Sequence, residues 1–162
     1  MEHVTIDDVE NERSPLEVHS VRRPVSRALG TDHVAMNYFE LESGESFSGG
    51  RHTHHDQEEV FYVESGTATF QVGRAGETEI EVAAGELIRF APGEFQEGRN
   101  LGTERVVDWA IGAPGATHDW DEIESILPCR TCGEETSHGL ALTDDGSFEL
   151  TCAACGTVIG SG

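Results

Sequence analysis

Hydrophobic and polar residues alternate over short segments between His33 and Gly112, and most of these segments end at a glycine. A period of two residues is typical of strands that bury one face. We predict six strands, over residues 33–41, 59–63, 67–72, 77–82, 87–90 and 104–111. Short strands between glycine turns, without a sustained helical period, indicate an all-β antiparallel barrel or sandwich.

The pattern changes on both sides of this barrel, which we assign to residues 33–112. Residues 1–27 show no clear periodicity, and we assign residues 1–32 to an N-terminal arm, which either packs across the barrel or a partner subunit, or lies in solvent. Glycine and proline interrupt the chain at residues 112–115. Residues 113–127 are predicted to be a linker with a short helix capped by Asp119 or Asp121, and residues 128–162 to be a separate unit.

All four cysteines lie in this last unit, as two Cys-x-x-Cys pairs that are each followed by glycine: Cys129, Cys132, Cys152 and Cys155. A gap of two residues lets both thiolates of a tight turn bind one ion. Strand-like residues 140–143 and 148–151, joined by a turn at 144–146, predict a hairpin that brings the pairs together. Two redox disulfides and an iron–sulfur cluster are the alternatives. A short segment with few apolar residues needs a metal to fold, which favours a zinc ribbon with structural zinc.

The ribbon carries Arg130 against five acidic residues, which argues against a nucleic-acid surface. We expect a structural cap or a module that contacts a partner protein. Because four thiolates complete a tetrahedron, His138 is expected at the surface.

Three of the eight histidines fall within four residues, at His52, His54 and His55. Side chains at i and i+2 of an extended segment project to the same side, so His52 and His54 suit one metal ion. Glu59, at the start of the next predicted strand, adds a carboxylate. This donor set fits Fe, Mn, Ni, Cu or Zn, and His55 is either a reserve ligand or lies behind the ligands.

The segment that begins at His52 resembles the first motif of the cupin superfamily, H-x-H-x4-E-x6-G. His52, His54, Glu59 and Gly66 occupy its four defined positions. The glycine expected six positions before the first histidine is Ser46 here.

A second segment resembles the other cupin motif, G-x5-P-x-G-x2-H-x3-N. Its defined positions hold, in order, Gly85, Ala91, Gly93, Gln96 and Asn100. The spacing is preserved, but alanine replaces the proline and glutamine replaces the histidine.

This resemblance implies a double-stranded, jelly-roll-like β-barrel with a mononuclear metal site, whose ligands would be His52, His54, Glu59 and Gln96. Gln96 is either a weak oxygen ligand or leaves a coordination position open to water or substrate. The implied function is that of a small metal enzyme, dioxygenase- or isomerase-like, acting on a small polar organic molecule. The alternative is a non-enzymatic binding or sensor module whose ribbon contacts a partner protein.

The charge balance argues against two further classes of function, nucleic-acid binding and membrane binding. The chain has 31 acidic residues and 10 arginines, no lysine, and a formal net charge of −21. Nucleic acid and membrane surfaces would repel it, and its apolar runs are too short to span a membrane. We expect a cytoplasmic protein whose composition resembles that of extreme halophiles. We also expect a homodimer, because pairing hides exposed strand edges.

If the acidity is an adaptation to salt, the melting temperature should rise from low to molar KCl, because screening removes self-repulsion between carboxylates. Thermal unfolding followed by circular dichroism across that range measures this. A melting temperature that stays flat or falls would contradict the halophilic interpretation.

Overall fold

The computed structural model describes residues 1–12, 16–117, 119–143 and 148–161. The secondary structure is nearly all β, with one short α-helix, α1 (Val25–Leu29), and 3-10 turns at Ile6–Asp8 and Trp120–Glu122. The strands are β1 (Val21–Pro24), β2 (Ala35–Leu41), β3 (Arg51–His54), β4 (Glu58–Ser65), β5 (Thr67–Val72), β6 (Thr78–Ala83), β7 (Leu87–Phe90), β8 (Gln96–Arg99), β9 (Val106–Ala113), β10 (Ile123–Cys129), β11 (Glu134–Leu142), β12 (Phe148–Cys152) and β13 (Val158–Ser161). In these ranges, no helix has the length and hydropathy of a membrane span.

All six predicted strands are present, as β2, β4, β5, β6, β7 and β9. They belong to two antiparallel sheets, ordered β1-β2-β9-β4-β7 and β13-β12-β11-β10-β3-β8-β5-β6. The all-β, jelly-roll-like fold is therefore confirmed.

An aromatic core lies between the two sheets. Phe47, Phe61 and Phe70 are buried there, and the Phe61 and Phe70 ring centroids are 4.9 Å apart. Gly98 of β8 lets these rings approach the backbone, because a Cβ at this position would lie 2.5 Å from both Phe47 Cδ2 and Phe70 Cε1. Phe47 and Phe61 of this core also line the cavity described below, so the core and the cavity are continuous.

The N-terminal arm packs across the barrel. Its strand β1 pairs with β2 and extends the first sheet. His19 is buried, with its ring centroid 5.2 Å from that of Phe39.

The predicted linker differs most from its expected structure. Among its described residues, 113–117 and 119–127, helical geometry is limited to the 3-10 turn at Trp120–Glu122. There the Asp119 side chain accepts a hydrogen bond from the Asp121 amide at 3.1 Å. Residue 123 already begins β10, which pairs with β3 on one edge and β11 on the other. Pairing on both edges outweighs any local helical preference, and the strand runs through Pro128.

Strand β10 therefore joins the barrel to strands β11–β13 in one continuous sheet. From here on, the C-terminal ribbon means strands β10–β13, which begin at residue 123 and not at 128. The predicted hairpin corresponds to β11 and β12, which pair from His138 with Cys152 to Leu142 with Phe148. Its predicted turn, at residues 144–146, lies outside the described residues.

Candidate metal centres and the barrel pocket

His52 and His54 lie on the same face of β3, as their spacing predicts, with ring centroids 5.1 Å apart. Strand β4 of the opposite sheet supplies Glu59, whose Oε2 lies 3.8 Å from His54 Nε2. One donor atom from each of the three residues lies within 4.8 Å of the others. The folding of two sheets around one interior therefore brings together donors that could hold a single divalent ion.

Gln96 lies directly opposite His52, on β8. Its Nε2 donates to Glu59 Oε2 at 3.0 Å and lies 3.4 Å from His52 Nε2. Its buried Oε1 has no hydrogen-bond partner among the described residues. Rotation of the amide by 180° would exchange the two atoms and turn this oxygen toward the other donors, so the side chain fits a metal as well as it fits the free carboxylate.

The surroundings of His52 favour the form of imidazole that can bind a metal. His52 Nδ1 lies 3.1 Å from the Gly50 carbonyl oxygen, and a proton donated there leaves Nε2 with its lone pair toward the cluster. Burial lowers the pKa of His52, which keeps the imidazole neutral at physiological pH.

Glu59 lies in surroundings that disfavour its ionised form. Burial raises its pKa to about 7, although the hydrogen bond from Gln96 acts in the opposite direction. A divalent ion in this cluster would favour the ionised form and remove that cost.

His55 lies outside the cluster. Its side chain is 44% exposed, and its Nε2 contacts Glu124 Oε2 at 3.1 Å. It therefore offers a matched control for the two histidines of the site.

Asp108 is a buried acid that the sequence reasoning missed. It lies on β9 between Val106 and Ala110, fully buried, and neither carboxylate oxygen has a hydrogen-bond partner in the described part of the chain. Burial, together with the charge of Glu59, raises its pKa to about 8. The sequence pattern indicates this buried acid, because Asp108 occupies a position that faces the interior in the alternating pattern of its strand.

The four cysteines converge at the turns that join β10 to β11 and β12 to β13. Their sulfur atoms lie within 4.8 Å of one another, and none of the four is in a disulfide. The Cys129 and Cys155 Sγ atoms are 3.6 Å apart, and the Cys132 and Cys152 Sγ atoms 4.0 Å. The turns are closed by the amides of Gly133 and Gly156, which donate to the carbonyls of Cys129 and Cys152 at 2.8 Å. This arrangement suits a tetrahedral ion.

Hydrogen bonds also favour a thiolate at this cluster. The Thr136 hydroxyl, 3.2 Å from Cys152 Sγ, lowers the pKa of that thiol to about 6. A deprotonated sulfur is the form that binds metal.

His138 is fully buried, so the expectation that it lies at the surface was wrong. Its Nδ1 lies 2.9 Å from the Thr136 carbonyl oxygen. It pairs with Ser125 of β10 and Cys152 of β12, so its side chain lies in the middle of the sheet, on the face that also carries His52.

A cavity of about 280 Å³ opens above the histidines. His52, His54 and Glu59 contribute polar atoms to it, and Phe47 and Phe61 contribute apolar surface from the barrel. The N-terminal arm and the ribbon complete its walls through Leu16, Val18, Leu140 and Leu150, among others. The candidate site is thus a polar cluster within a largely apolar pocket built from three parts of the chain.

Residues 37–110 match the family model of the cupin domain. No curated protein sequence matches the chain. Among solved structures, a sugar phosphate isomerase from a cupin superfamily of Silicibacter pomeroyi is 17% identical, with a TM-score of 0.62 over 98% of this chain and 92% of that one.

Two further structures are similar. A polyketide cyclase from Streptomyces resistomycificus is 22% identical, with a TM-score of 0.65 over 80% of this chain and 88% of that one. A Klebsiella pneumoniae protein with a double-stranded β-helix domain is 19% identical, with a TM-score of 0.57 over 72% of this chain and 87% of that one. At these identities the likeness is one of fold.

Replacing Asp108 tests how much the burial of its carboxyl group lowers the free energy of unfolding. The pKa of Asp108 rises from 3.8 to about 8 on folding, so the folded protein holds a proton that the unfolded chain releases. The free energy of unfolding of wild type, relative to Asp108→Asn, should therefore fall between about pH 4 and pH 8, by on the order of 1 kcal/mol per pH unit, and level off above.

Urea unfolding of the metal-free protein at pH 5, 7 and 9 measures this difference. Asp32→Asn provides a control, because it makes the same substitution at an exposed position. A constant difference between wild type and Asp108→Asn would show that the carboxyl does not titrate in the folded state.

Proposed function

We propose that this chain, in which residues 37–110 match the family model of the cupin domain, is a mononuclear metal enzyme acting on a small organic molecule in the barrel pocket. The observation that carries the proposal is the convergence of His52, His54 and Glu59 donors within 4.8 Å in the lining of the 280 Å³ cavity. An ion held by these residues would face whatever the cavity binds.

The donor set is suited to a divalent transition ion. Two neutral imidazoles and one carboxylate hold Fe, Mn, Ni, Cu or Zn, and Gln96 is the candidate fourth ligand. Such an ion, when bound, supplies Lewis-acid activation of a substrate oxygen and, if it is redox-active, oxygen chemistry. Iron, manganese, nickel or copper in the barrel would favour a dioxygenase-like reaction, and zinc an isomerase-like one.

The protein's own groups orient the donors and the substrate. The Gly50 carbonyl fixes the direction of the His52 ring through the contact at Nδ1. Gln96 positions the Glu59 carboxylate through its amide hydrogen bond, and apolar side chains line the cavity beside the polar cluster.

We also propose structural zinc at Cys129, Cys132, Cys152 and Cys155. The sulfur separations and the thiolate-favouring contact of Thr136 support this assignment. The two proposed metals thus differ in role, one closed by four protein ligands and one open to the pocket.

Metal content tests both centres together. Wild type purified under reducing conditions should contain about two metal ions per chain, measured by inductively coupled plasma mass spectrometry. His54→Ala should lose one ion, because two remaining ligands rarely suffice, whereas the matched variant His55→Ala should keep both. A loss restricted to Cys132→Ser, with wild-type content at one ion and no effect of His54→Ala, would refute the barrel site.

Turnover tests the enzyme assignment directly. Wild type and His55→Ala, loaded with each candidate metal, should consume a compound from a panel of small carbonyl and enol compounds, detected by mass spectrometry. His54→Ala should not. Metal binding without turnover of any compound would favour the binding-module alternative.

Gln96 variants separate its two candidate roles. If its oxygen ligates the ion, Gln96→Ala should weaken barrel metal about tenfold, and Gln96→His should restore or tighten binding because imidazole is the stronger donor. Competition with a chromophoric chelator measures both affinities. Unchanged affinity in Gln96→Ala would assign Gln96 to positioning of Glu59 alone.

A further inference from the structure

We propose that the C-terminal ribbon forms a specificity-determining wall of the barrel pocket, and that the molecule bound there has an apolar, ring-sized body and one oxygen-bearing end. The inference rests on the proposed function only for the ion that would meet the oxygen. The wall itself rests on the placement of Leu127, Leu140 and Leu150 around the cavity.

The sheet register explains why ribbon residues reach the pocket. His52 pairs with Ser125 of β10, Ser125 with His138 of β11, and His138 with Cys152 of β12. Paired residues of antiparallel strands face the same side, so this row shares one face of the sheet. The barrel histidines and the cysteine cluster therefore lie on the same face, roughly 14 Å apart at about 4.8 Å per strand.

Leu140 and Leu150 form the neighbouring row on that face. They pair directly with each other, two residues away from His138 and Cys152 along their strands. Leu150 is thus about 7 Å along β12 from a cysteine of the cluster. An ion that holds the cysteine turns together would also hold this wall in place.

The cavity separates polar from apolar contacts. The donors His52, His54 and Glu59 form its polar part, while Phe47, Phe61 and the ribbon leucines line much of the remainder. A molecule that matches this division has one polar end and an otherwise apolar body. Since about 150 Å³ is enough for benzene, a cavity of 280 Å³ admits a ring with a short substituent.

The described lining of the cavity offers too few unpaired cationic side chains for a phosphorylated ligand. Arg22 is the one arginine among the described residues that line the cavity. Its Nε donates to Asn37 Oδ1 at 3.2 Å, and its Nη1 donates to Glu12 at 3.1 Å. A phosphate would meet a guanidinium already paired with a carboxylate, in a chain of net charge −21.

Two hydroxamates provide the test, because they share a metal-binding end and differ in their apolar body. Protein with Zn²⁺ in the ribbon and Co²⁺ in the barrel is titrated with acetohydroxamate and benzohydroxamate, and the visible absorption of Co²⁺ reports binding. Wild type should bind benzohydroxamate at least about tenfold more tightly, since its ring removes more apolar surface from water.

Ribbon variants locate this preference. Leu150→Ala should lower the ratio of the two affinities about fivefold by removing wall contacts, and Leu150→Phe should lower it by filling the space. Val158→Ala is the matched control, because Val158 is 53% exposed and pairs with Thr151, so it lies on the opposite face of the ribbon from Leu150. Cys132→Ser should resemble Leu150→Ala, while acetohydroxamate affinity stays near wild type in all four.

The outcomes distinguish this inference from the proposed function. Equal affinity for the two hydroxamates, or a preference that survives both Leu150 variants, would overturn the ribbon wall and leave the metal site standing. Failure of the histidine site to take up Co²⁺, or of either hydroxamate to perturb its spectrum, would overturn the proposed function and, with it, the assigned ligand. Acetohydroxamate binding also shows that each variant has kept its barrel.

Discussion

The pairing of β10 with β3 is the interaction on which the other features of this structure depend. Strand β3 carries His52 and His54, and it lies between β8 and β10. Without β10, one edge of β3 would present unpaired backbone groups beside the candidate metal site. With β10 in place, the same hydrogen bonds fix the histidines, extend the barrel sheet into the ribbon, and turn Leu127 toward the cavity.

The polar cluster is the second constraint, and it is electrostatic. Asp108 is fully buried and Glu59 is mostly buried at the edge of the cavity, and the loss of water raises the pKa of each toward neutrality. Gln96 satisfies Glu59 with one amide proton but buries its own oxygen without a partner in the described chain. A divalent cation would stabilise the ionised form of Glu59 and be coordinated by the Gln96 oxygen. The unfavourable burial of these two groups and the proposed binding of a cation therefore have the same electrostatic cause.

The ribbon would then serve two purposes through one sheet face. Its cysteine turns supply a closed four-sulfur cluster, which supports the fold of strands that have little apolar core of their own. Leu150, which lies two residues before Cys152 on β12, lines the pocket.

The sequence by itself determined the strand pattern, the spacing of His52, His54 and Glu59, and the paired cysteines, because these depend on periodicity and on neighbours within a few residues. The ends of the six predicted strands needed shifts of at most two residues. Residues 123–129 could not be assigned locally, since their strand forms only when β3 and β11 pair with it. The burial of His138 and Asp108, and the contribution of Leu140 and Leu150 to the pocket, likewise arise from contacts between segments distant in the chain, which only the tertiary structure decides.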